Sequence, residues 1–165
     1  MDCVRIGVVG VGRGSSMMRF CQQSEKAKLV AVCDCWEEGL LRKREELNDS
    51  SIAYYTNFED FLQHDMDAVV LANYATEHAE LAILCLKRGL HVLSEVLPVQ
   101  TMKEAVELVG AVESSSAIYA YAENYCFMPA PKEMRRLYRA GRLGEFEYGE
   151  GEYLHNCETC WPRIT

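Results

Sequence analysis

An apolar segment near the start of the chain breaks into a glycine-rich turn, and this feature constrains the fold more than any other. Residues 6–15 read Ile-Gly-Val-Val-Gly-Val-Gly-Arg-Gly-Ser. Gly10 and Gly12, with the small residue Ser15 in the third position, match the strand-to-helix turn that binds a dinucleotide pyrophosphate. Gly10 permits the tight turn, Gly12 lets the backbone approach the phosphates, and Ser15 lets the following helix pack close to the sheet. Free N–H groups at the helix N-terminus would then face the anion.

Three features around the turn strengthen this interpretation. The turn follows a strand, it opens a helix, and Asp34 ends the second strand about 20 residues further on. The Asp34 carboxylate can accept hydrogen bonds from both hydroxyls of an adenosine ribose and would repel a 2′-phosphate, which favours NAD over NADP. The alternative is an acidic residue that only closes a strand. Arg42, Lys43 and Arg44 could in principle bind a 2′-phosphate, but we expect them to face solvent.

Strand-like and helix-like segments alternate along the chain, which is typical of a parallel sheet covered by helices. We therefore predict an α/β fold of the Rossmann type, a doubly wound and mostly parallel sheet with helices on both faces. The predicted strands are residues 4–9, 28–34, 52–55, 67–72, 91–94 and 118–122. Two helix starts are predicted to carry capping boxes, Thr56 with Glu59 and Thr101 with Glu104.

The pattern changes after Asn124, so we predict a Rossmann domain over residues 1–124. Residues 125–165 are expected to form a connecting helix and the first strand of a truncated C-terminal substrate domain. Pro129 opens a basic helix that ends near Gly141, and residues 146–153 alternate like a half-exposed antiparallel strand. The chain is expected to stop inside that second domain and, as it stands, to be unable to turn over a substrate.

Charge and cysteine usage narrow the class of partner and compartment. The chain of 165 residues has 17 basic and 25 acidic side chains, a net charge of −8, which disfavours nucleic acid and anionic membranes as partners. We see no signal peptide or membrane span and expect a cytoplasmic protein. Five cysteines lie in apolar surroundings, and we expect them to be free, buried thiols in a reducing compartment. They are Cys3, Cys21, Cys33, Cys85 and Cys126. The close pairs Cys33/Cys35 and Cys157/Cys160 could suggest zinc or redox chemistry, but they lack the usual surrounding motifs, so we predict no metal.

The middle of the chain carries motifs that identify a family. The segments 67–78 (Asp-Ala-Val-Val-Leu-Ala-Asn-Tyr-Ala-Thr-Glu-His) and 89–98 (Gly-Leu-His-Val-Leu-Ser-Glu-Val-Leu-Pro) closely resemble the Gfo/Idh/MocA oxidoreductases. The resemblance covers residues 4–155, including Ala-Glu-Asn-Tyr at 122–125 and Gly-Arg-Leu-Gly at 141–144. It implies a Rossmann domain followed by a C-terminal domain on an open antiparallel sheet, through which such proteins usually form oligomers.

The resemblance also implies which residues hold the cofactor. Asn73, Tyr74 and His78 match a loop against the cofactor, Glu95 matches the acidic residue of a Glu-Lys-Pro motif near the nicotinamide ribose, and Asn124 approaches the nicotinamide. The implied NAD-binding residues are Gly10, Gly12, Arg13, Gly14, Ser15, Asp34, Asn73, Tyr74, His78, Glu95 and Asn124. His78 could instead serve only packing, and Glu95 could be a surface carboxylate. Catalytic residues stay unassigned; Tyr121, Tyr125 and His155 are aromatic candidates, of which Tyr125 could donate a proton or simply pack.

Two departures from the family pattern affect the expected chemistry. Val96 replaces the lysine that helps polarise the substrate oxygen, and Asn73, Tyr74 and Ala75 replace the usual Thr-Pro-Asn. The resemblance predicts the NAD-binding domain of an enzyme that moves a hydride between nicotinamide and a sugar, polyol or related hydroxyl compound. The alternatives are an NAD-dependent glycosidase that oxidises its sugar transiently, and an NAD-binding protein without catalysis. A homo-oligomer is possible in either case.

Overall fold

The computed structural model describes residues 3–154 and residue 156. Contacts between Cα atoms divide the chain into two units, Met1–Glu123 and Asn124–Thr165. The first unit contains a sheet of six parallel strands in the order β3-β2-β1-β4-β5-β6. These strands are β1 (Val4–Val9), β2 (Ala27–Cys33), β3 (Ala53–Tyr55), β4 (Ala68–Leu71), β5 (His91–Ser94) and β6 (Tyr119–Tyr121). The strand order changes direction between β1 and β4, which is the doubly wound arrangement predicted from the sequence.

Helices connect the strands and cover both faces of the sheet. The helices of the first unit are α1 (Ser15–Gln23), α2 (Glu37–Leu47), α3 (Phe58–Leu62), α4 (His78–Lys87) and α5 (Met102–Glu113). Residues of α1 and α2 share one buried cluster, whereas residues of α3, α4 and α5 share the other. Successive strand residues alternate between the two clusters, as Val8 and Val9 do in β1. Both faces of the central strands are therefore buried, which explains their nearly continuous apolar sequence.

An ion-paired cluster fixes the start of β1 against the start of β4. The Arg5 side chain donates to Asp67 Oδ1 at 2.7 Å and pairs with Asp65, and the Arg5 main-chain N–H donates to Asp67 Oδ2 at 2.8 Å. Hydrogen bonds from the Arg5 side chain and main chain hold the pKa of the Asp67 carboxyl below its usual range. The cluster thus sets the register of the two strands that flank the change in strand order.

The two predicted capping boxes had different outcomes. At α5, Thr101 accepts from the Glu104 N–H at 3.2 Å, and Glu104 accepts from the Thr101 N–H at 3.1 Å, so this box is confirmed. At α3 the prediction of Thr56 was wrong, because the helix starts one residue later and Asn57 accepts from the Asp60 N–H at 3.1 Å. An asparagine caps a helix at least as well as a threonine, which explains why Asn57 is the N-cap residue.

In the second unit, the described residues form one 3₁₀ turn (Tyr125–Phe127) and helix α6 (Pro129–Arg139). The basic helix is confirmed, with a proline in its first turn and Gly141 following at φ 68°. The antiparallel strand expected over residues 146–153 is wrong, because none of these residues is in a strand. All of them are exposed, and the described part of this unit offers no second strand to satisfy their backbone groups.

The six described cysteines, which are Cys3, Cys21, Cys33, Cys35, Cys85 and Cys126, are free thiols. Cys21, Cys33 and Cys85 are buried as predicted, but Cys3 is exposed, because it lies before β1 rather than inside the sheet. Burial raises the pKa of the Cys33 and Cys85 thiols to about 12. None of the helices in the described ranges is long and apolar enough to cross a bilayer.

Candidate functional site

A cavity of about 600 Å³ opens at the carboxyl ends of the parallel strands. It lies beside the ends of the neighbouring strands β1 and β4, whose following helices α1 and α4 pack on opposite faces of the sheet. This is the position at which open α/β sheets bind their ligands. Its walls come from the ends of β1, β2 and β4 and the loops that follow β2, β3 and β4. The lining residues are Val9, Gly10, Gly12, Arg13, Cys33, Asp34, Cys35, Trp36, Thr56, Phe58, Ala72, Asn73, Tyr74, Glu77 and Leu81.

Gly10 is required by the geometry of the turn. Its φ of 99° lies in the region that favours glycine, and a Cβ there would stand 2.4 Å from the carbonyl oxygen of Ala72. The Gly10 N–H donates to the Cys33 carbonyl at 2.8 Å, which ties the turn to the end of β2. The tight turn predicted at Gly10 is therefore present, while its role in holding the cofactor stays a prediction.

The close packing of helix on sheet falls on Gly14 rather than on Ser15, where we predicted it. A Cβ on Gly14 would stand 2.3 Å from the Gly10 carbonyl oxygen and 2.5 Å from Val8 Cγ1. The Ser15 hydroxyl instead donates to the Val11 carbonyl at 2.7 Å, which braces the first turn of α1. The predicted position was wrong by one residue because Gly14 and Ser15 are adjacent small residues, and the pattern alone does not show which of them meets the sheet.

Gly12 and Arg13 present the part of the turn that is open to a ligand. A Cβ on Gly12 would meet nothing within 4 Å, and no residue in the described chain accepts a hydrogen bond from the Gly12 or Arg13 main-chain N–H. The first turn of α1 contains no acidic residue. Free amides at a helix N-terminus attract anions, so this part of the turn offers two main-chain donors to an anionic group.

Asp34 stands at the end of β2 with its carboxylate held by main-chain groups. Oδ2 accepts from the Val11 N–H at 2.8 Å, and Oδ1 accepts from the Trp36 N–H at 2.9 Å. Each oxygen keeps a lone pair for a further donor. The carboxylate is half-buried and lines the same cavity as Gly10 and Gly12, so it is oriented before any ligand arrives.

The basic side chains that follow Asp34 are engaged elsewhere. Arg42 pairs with Glu38 at 2.5 Å and lies 5.7 Å from the Trp36 ring centroid, while Arg44 lies over the ring of Tyr54. Lys43, which we expected to face solvent, is buried and pairs with Glu46 at 2.5 Å. None of these three cations lines the cavity beside Asp34.

The loop after β4 forms the opposite wall of the cavity. Asn73 donates from Nδ2 to Glu77 Oε2 at 2.6 Å, and Tyr74 is largely exposed. Glu77 can only accept, which fixes the orientation of the Asn73 amide. Where the family pattern has Thr-Pro-Asn, the loop therefore presents the Asn73 amide and the Tyr74 ring, followed by Ala75.

Glu95 follows β5 and bonds to the glycine turn. Its carboxylate accepts from Arg13 Nε at 3.5 Å, and its main-chain N–H donates to the Leu71 carbonyl at 2.9 Å. Val96, which stands where the family has lysine, is partly exposed. The Arg13–Glu95 pair brings together two predicted cofactor residues from distant parts of the sequence.

His78 and Asn124 are placed differently from the other predicted residues. His78 begins α4 with its ring 1 % exposed and its Nδ1 bonded to the Leu97 carbonyl at 2.9 Å, so its contacts are those of a packing residue. Asn124 is exposed and opens the second unit. In that unit Tyr125 packs edge-to-face on Tyr153, with ring centroids 5.5 Å apart, and His155 lies outside the described residues. The cofactor roles of His78 and Asn124 stay predictions.

Sequence reasoning missed several residues of the cavity. Trp36 and Thr56 lie in the loops after β2 and β3, Phe58 is the first residue of α3, and Leu81 is on α4. Because the strands are parallel, the segments that follow β1, β2, β3 and β4 meet at one edge of the sheet and border this cavity. Trp36 could have been identified from the sequence, because it stands only two residues after the predicted ribose residue Asp34.

A larger cavity, of about 820 Å³, lies at the other end of the sheet. Its walls include Gly89 and Ser114–Ser116, at the ends of α4 and α5, which precede β5 and β6. The amino ends of parallel strands are not where this fold binds its ligands. Among the described residues, no group of three histidine, cysteine or acidic side chains could hold a metal ion.

Comparison with known proteins agrees with this geometry. A glycosyl hydrolase family 109 protein of Solibacter usitatus is 30 % identical over 164 residues, covering 93 % of this chain and 37 % of its own length. Myo-inositol 2-dehydrogenase from Lactobacillus plantarum superposes with a TM-score of 0.80 at 22 % identity, over 87 % of this chain and 43 % of that one. The WlbA dehydrogenase of Bordetella pertussis, solved with NADH and UDP-GlcNAcA, gives 0.79 at 25 % identity, over 87 % and 44 %.

The chain spans less than half the length of the relatives it matches. The family model described as "Oxidoreductase family, NAD-binding Rossmann fold" covers residues 4–123, which is nearly all of the first unit. The glycine turn, the anchored Asp34 and the strand order all lie inside that range. This chain therefore belongs to the Gfo/Idh/MocA oxidoreductase family and contains its NAD-binding Rossmann domain.

Proposed function

We propose that this domain binds NAD in preference to NADP and serves an enzyme that moves a hydride to or from a sugar, polyol or related hydroxyl compound. The observation that carries the preference is Asp34, a half-buried carboxylate that lines the cavity and is held in place by two main-chain amides. It has lone pairs for the two ribose hydroxyls of NAD. It would oppose a 2′-phosphate, and the basic side chains that follow it, Arg42, Lys43 and Arg44, do not line the cavity. Arg13, which does line the cavity, pairs with Glu95 instead.

The residues of the cavity suggest how the cofactor is oriented. The Gly12 and Arg13 amides would hold the pyrophosphate, with the Arg13 guanidinium adding charge. Asp34 would hold the adenosine ribose, and Glu95, on the other side of the turn, the nicotinamide ribose. Bound NAD supplies the nicotinamide C4 that accepts or gives the hydride. Proton transfer to the substrate oxygen needs a group other than Val96, whose side chain cannot carry a proton.

Calorimetry with NAD and NADP tests the preference. Asp34→Asn removes the charge and keeps an oxygen as acceptor, while Glu45→Gln, at an exposed position of α2 outside the cavity, is the matched control. Hydrogen bonds to a charged group contribute about 1.5–3 kcal/mol, so we expect Asp34→Asn to weaken NAD binding roughly 10- to 150-fold. Glu45→Gln should bind like the unaltered chain. Tighter binding of NADP than of NAD, or an unchanged NAD affinity in Asp34→Asn, would contradict the proposal.

A second candidate reaction is favoured by the relatives themselves. Several proteins that match nearly the whole chain at 27–30 % identity are named glycosyl hydrolase family 109. Such an enzyme would oxidise the sugar transiently, eliminate the leaving group, add water in its place and return the hydride, so that NAD is not consumed.

The two reactions can be distinguished in a protein that joins this domain to a substrate domain. A dehydrogenase given a polyol and excess NAD accumulates NADH. A glycosidase releases an alcohol or phenol from a glycoside while NADH stays constant. Val96→Lys in the same protein should raise dehydrogenase turnover if the lysine is what is missing. Failure of both assays, with NAD bound, would favour a binding protein without catalysis.

Free thiols at the described cysteines are in keeping with a reducing compartment, and we propose the cytoplasm. Fractionation of the source cells, with blotting for the chain, tests this placement. Recovery outside the cytoplasmic fraction would contradict it.

A further inference from the structure

Trp36 stands out among the cavity residues because its ring is large, apolar and half exposed. It is 51 % accessible, although tryptophan is usually well buried in a small domain. Its main-chain N–H donates to Asp34 Oδ1 at 2.9 Å, so the backbone of Trp36 is locked to the carboxylate proposed for the ribose. Nothing in the family motif predicts an aromatic residue at this position.

The ring is held rigidly from below. A Cβ built on Gly39 would stand 2.3 Å from Trp36 Cε3 and 2.6 Å from Cδ2, which means that the six-membered part of the indole lies directly on the backbone of Gly39. The Arg42 guanidinium, one turn further along α2, lies 5.7 Å from the ring centroid. Helix α2 therefore supports the indole, and the remaining exposed surface of the ring contributes to the cavity wall.

The position of the ring selects its occupant. In a dinucleotide the adenine is attached to the same ribose that Asp34 would hold. The base must therefore lie next to that carboxylate. Trp36 is two residues from Asp34 and lines the same cavity with Phe58 and Leu81, two further apolar side chains. A flat apolar wall with few hydrogen-bonding groups suits a purine, which stacks on aromatic rings.

We propose that Trp36 is the adenine platform of this domain, and that Gly39 is the residue that permits it. The inference rests on the proposed function, because it assumes that the dinucleotide lies in this cavity. It goes beyond that function by assigning recognition of the base to a residue of this particular chain. Affinity for the adenylate half of the cofactor should then depend on the indole, and affinity for the nicotinamide half should not.

Calorimetry with ADP-ribose, NAD and nicotinamide mononucleotide tests the assignment. Stacking on an aromatic side chain contributes about 1–3 kcal/mol per base, so Trp36→Ala should weaken ADP-ribose and NAD binding about 5- to 150-fold. Trp36→Phe should keep most of the affinity. Phe20→Ala, which removes an exposed aromatic side chain on α1 away from the cavity, is the matched control.

Gly39→Ala provides an independent test that leaves Trp36 in place. The added methyl must displace the indole, whereas alanine is a better helix former than glycine, so the fold should be kept. ADP-ribose affinity should fall as in Trp36→Ala, and the double variant should be no weaker than Trp36→Ala alone. Additive losses would overturn the shared role of the two residues.

Fluorescence supplies a readout that a purely structural role would not change. Trp36 and Trp161 are the two tryptophans of the chain, so Trp161→Phe leaves Trp36 as the single emitter. ADP-ribose should change its emission, and nicotinamide mononucleotide should not. Unchanged emission at saturation, or ADP-ribose binding by Trp36→Ala within about twofold of the unaltered chain, overturns the inference while the NAD proposal stands. If the unaltered chain binds neither NAD nor ADP-ribose, both are overturned.

Discussion

Gly10 and Gly12 lie two residues apart in the same turn, yet the structure assigns them opposite sensitivities to an added methyl group. At Gly10 the methyl would stand 2.4 Å from the Ala72 carbonyl oxygen and 2.9 Å from the Asn73 nitrogen, on a backbone with φ 99°. At Gly12 it would meet nothing within 4 Å. Gly10→Ala therefore tests how much the turn contributes to the stability of the fold. Gly12→Ala tests whether the turn binds the cofactor.

The magnitudes follow from these contacts. A side chain at a sparsely populated φ costs about 1–3 kcal/mol, and an overpacked methyl costs a further 1–3 kcal/mol or so. Gly10→Ala should thus lower the free energy of unfolding by roughly 2–6 kcal/mol, a large part of the total for a domain of this size. Gly12→Ala should leave it unchanged or raise it by about 0.4–1 kcal/mol, because alanine restricts the unfolded chain.

Binding should show the reverse contrast. A methyl at Gly12 projects from the part of the turn whose amides are free, so it would hold the pyrophosphate away from them. Loss of those charge-assisted hydrogen bonds should weaken NAD binding about 10- to 150-fold in a variant as stable as the unaltered chain. Urea unfolding and calorimetry on the two variants measure both quantities. The reasoning is refuted if Gly12→Ala binds NAD normally, or if Gly10→Ala unfolds at the same urea concentration as the unaltered chain.

Three further predictions concern stability and thiol reactivity. Thr101→Ala removes the confirmed cap of α5 and should cost about 1 kcal/mol in urea unfolding, with no loss if the cap is dispensable. The pKa of Asp67 is depressed by Arg5, so the stabilisation it gives is present above the unfolded pKa near 4 and is lost as the pH falls through the folded value. Asp67→Asn should therefore cost about 1 kcal/mol at pH 7 and progressively less as the pH falls through the folded pKa, and a cost that does not change with pH would contradict this. Burial raises the pKa of Cys33 and Cys85 to about 12, so their contribution to stability is complete below the unfolded value of 9.0 and is lost as the pH rises toward 12. At pH 8 iodoacetamide should modify both far more slowly than exposed Cys35, and mass spectrometry showing equal rates would contradict the burial.

The sequence predicted the features that depend on local pattern. Buried parallel strands such as β4 can be recognised in the sequence as short apolar segments. A turn that needs a positive φ can be recognised by its glycine. Asp34 was found because its distance from the turn is set by one strand-helix-strand unit. The cap at Thr101 was found because both of its partners lie within four residues. In each of these cases the physical cause and its signal occupy the same stretch of chain.

What sequence reasoning missed depends on contacts between distant residues. The bond from the His78 ring to the Leu97 carbonyl joins the start of α4 to the segment after β5, and no local pattern distinguishes this ring from one that faces the cofactor. Gly39 reads as an ordinary helix residue until Trp36 is seen lying on it. The strand expected over residues 146–153 failed because a strand needs a neighbour, and alternation along the chain says nothing about whether one is present.

The two amides bound by Asp34 have a consequence for any attempt to redesign the cofactor preference. One carboxylate oxygen binds the Val11 amide of the glycine turn, and the other binds the amide of Trp36, the residue just before α2. Asp34 therefore links the turn to the start of that helix. A designer who wants to admit a phosphorylated ribose would replace Asp34 with a small neutral residue. That change also leaves the Val11 and Trp36 amides without an acceptor and loosens the turn proposed to receive the pyrophosphate. We expect that a successful redesign needs a substitute acceptor as well as a new cation, so that specificity and scaffold have to be changed together.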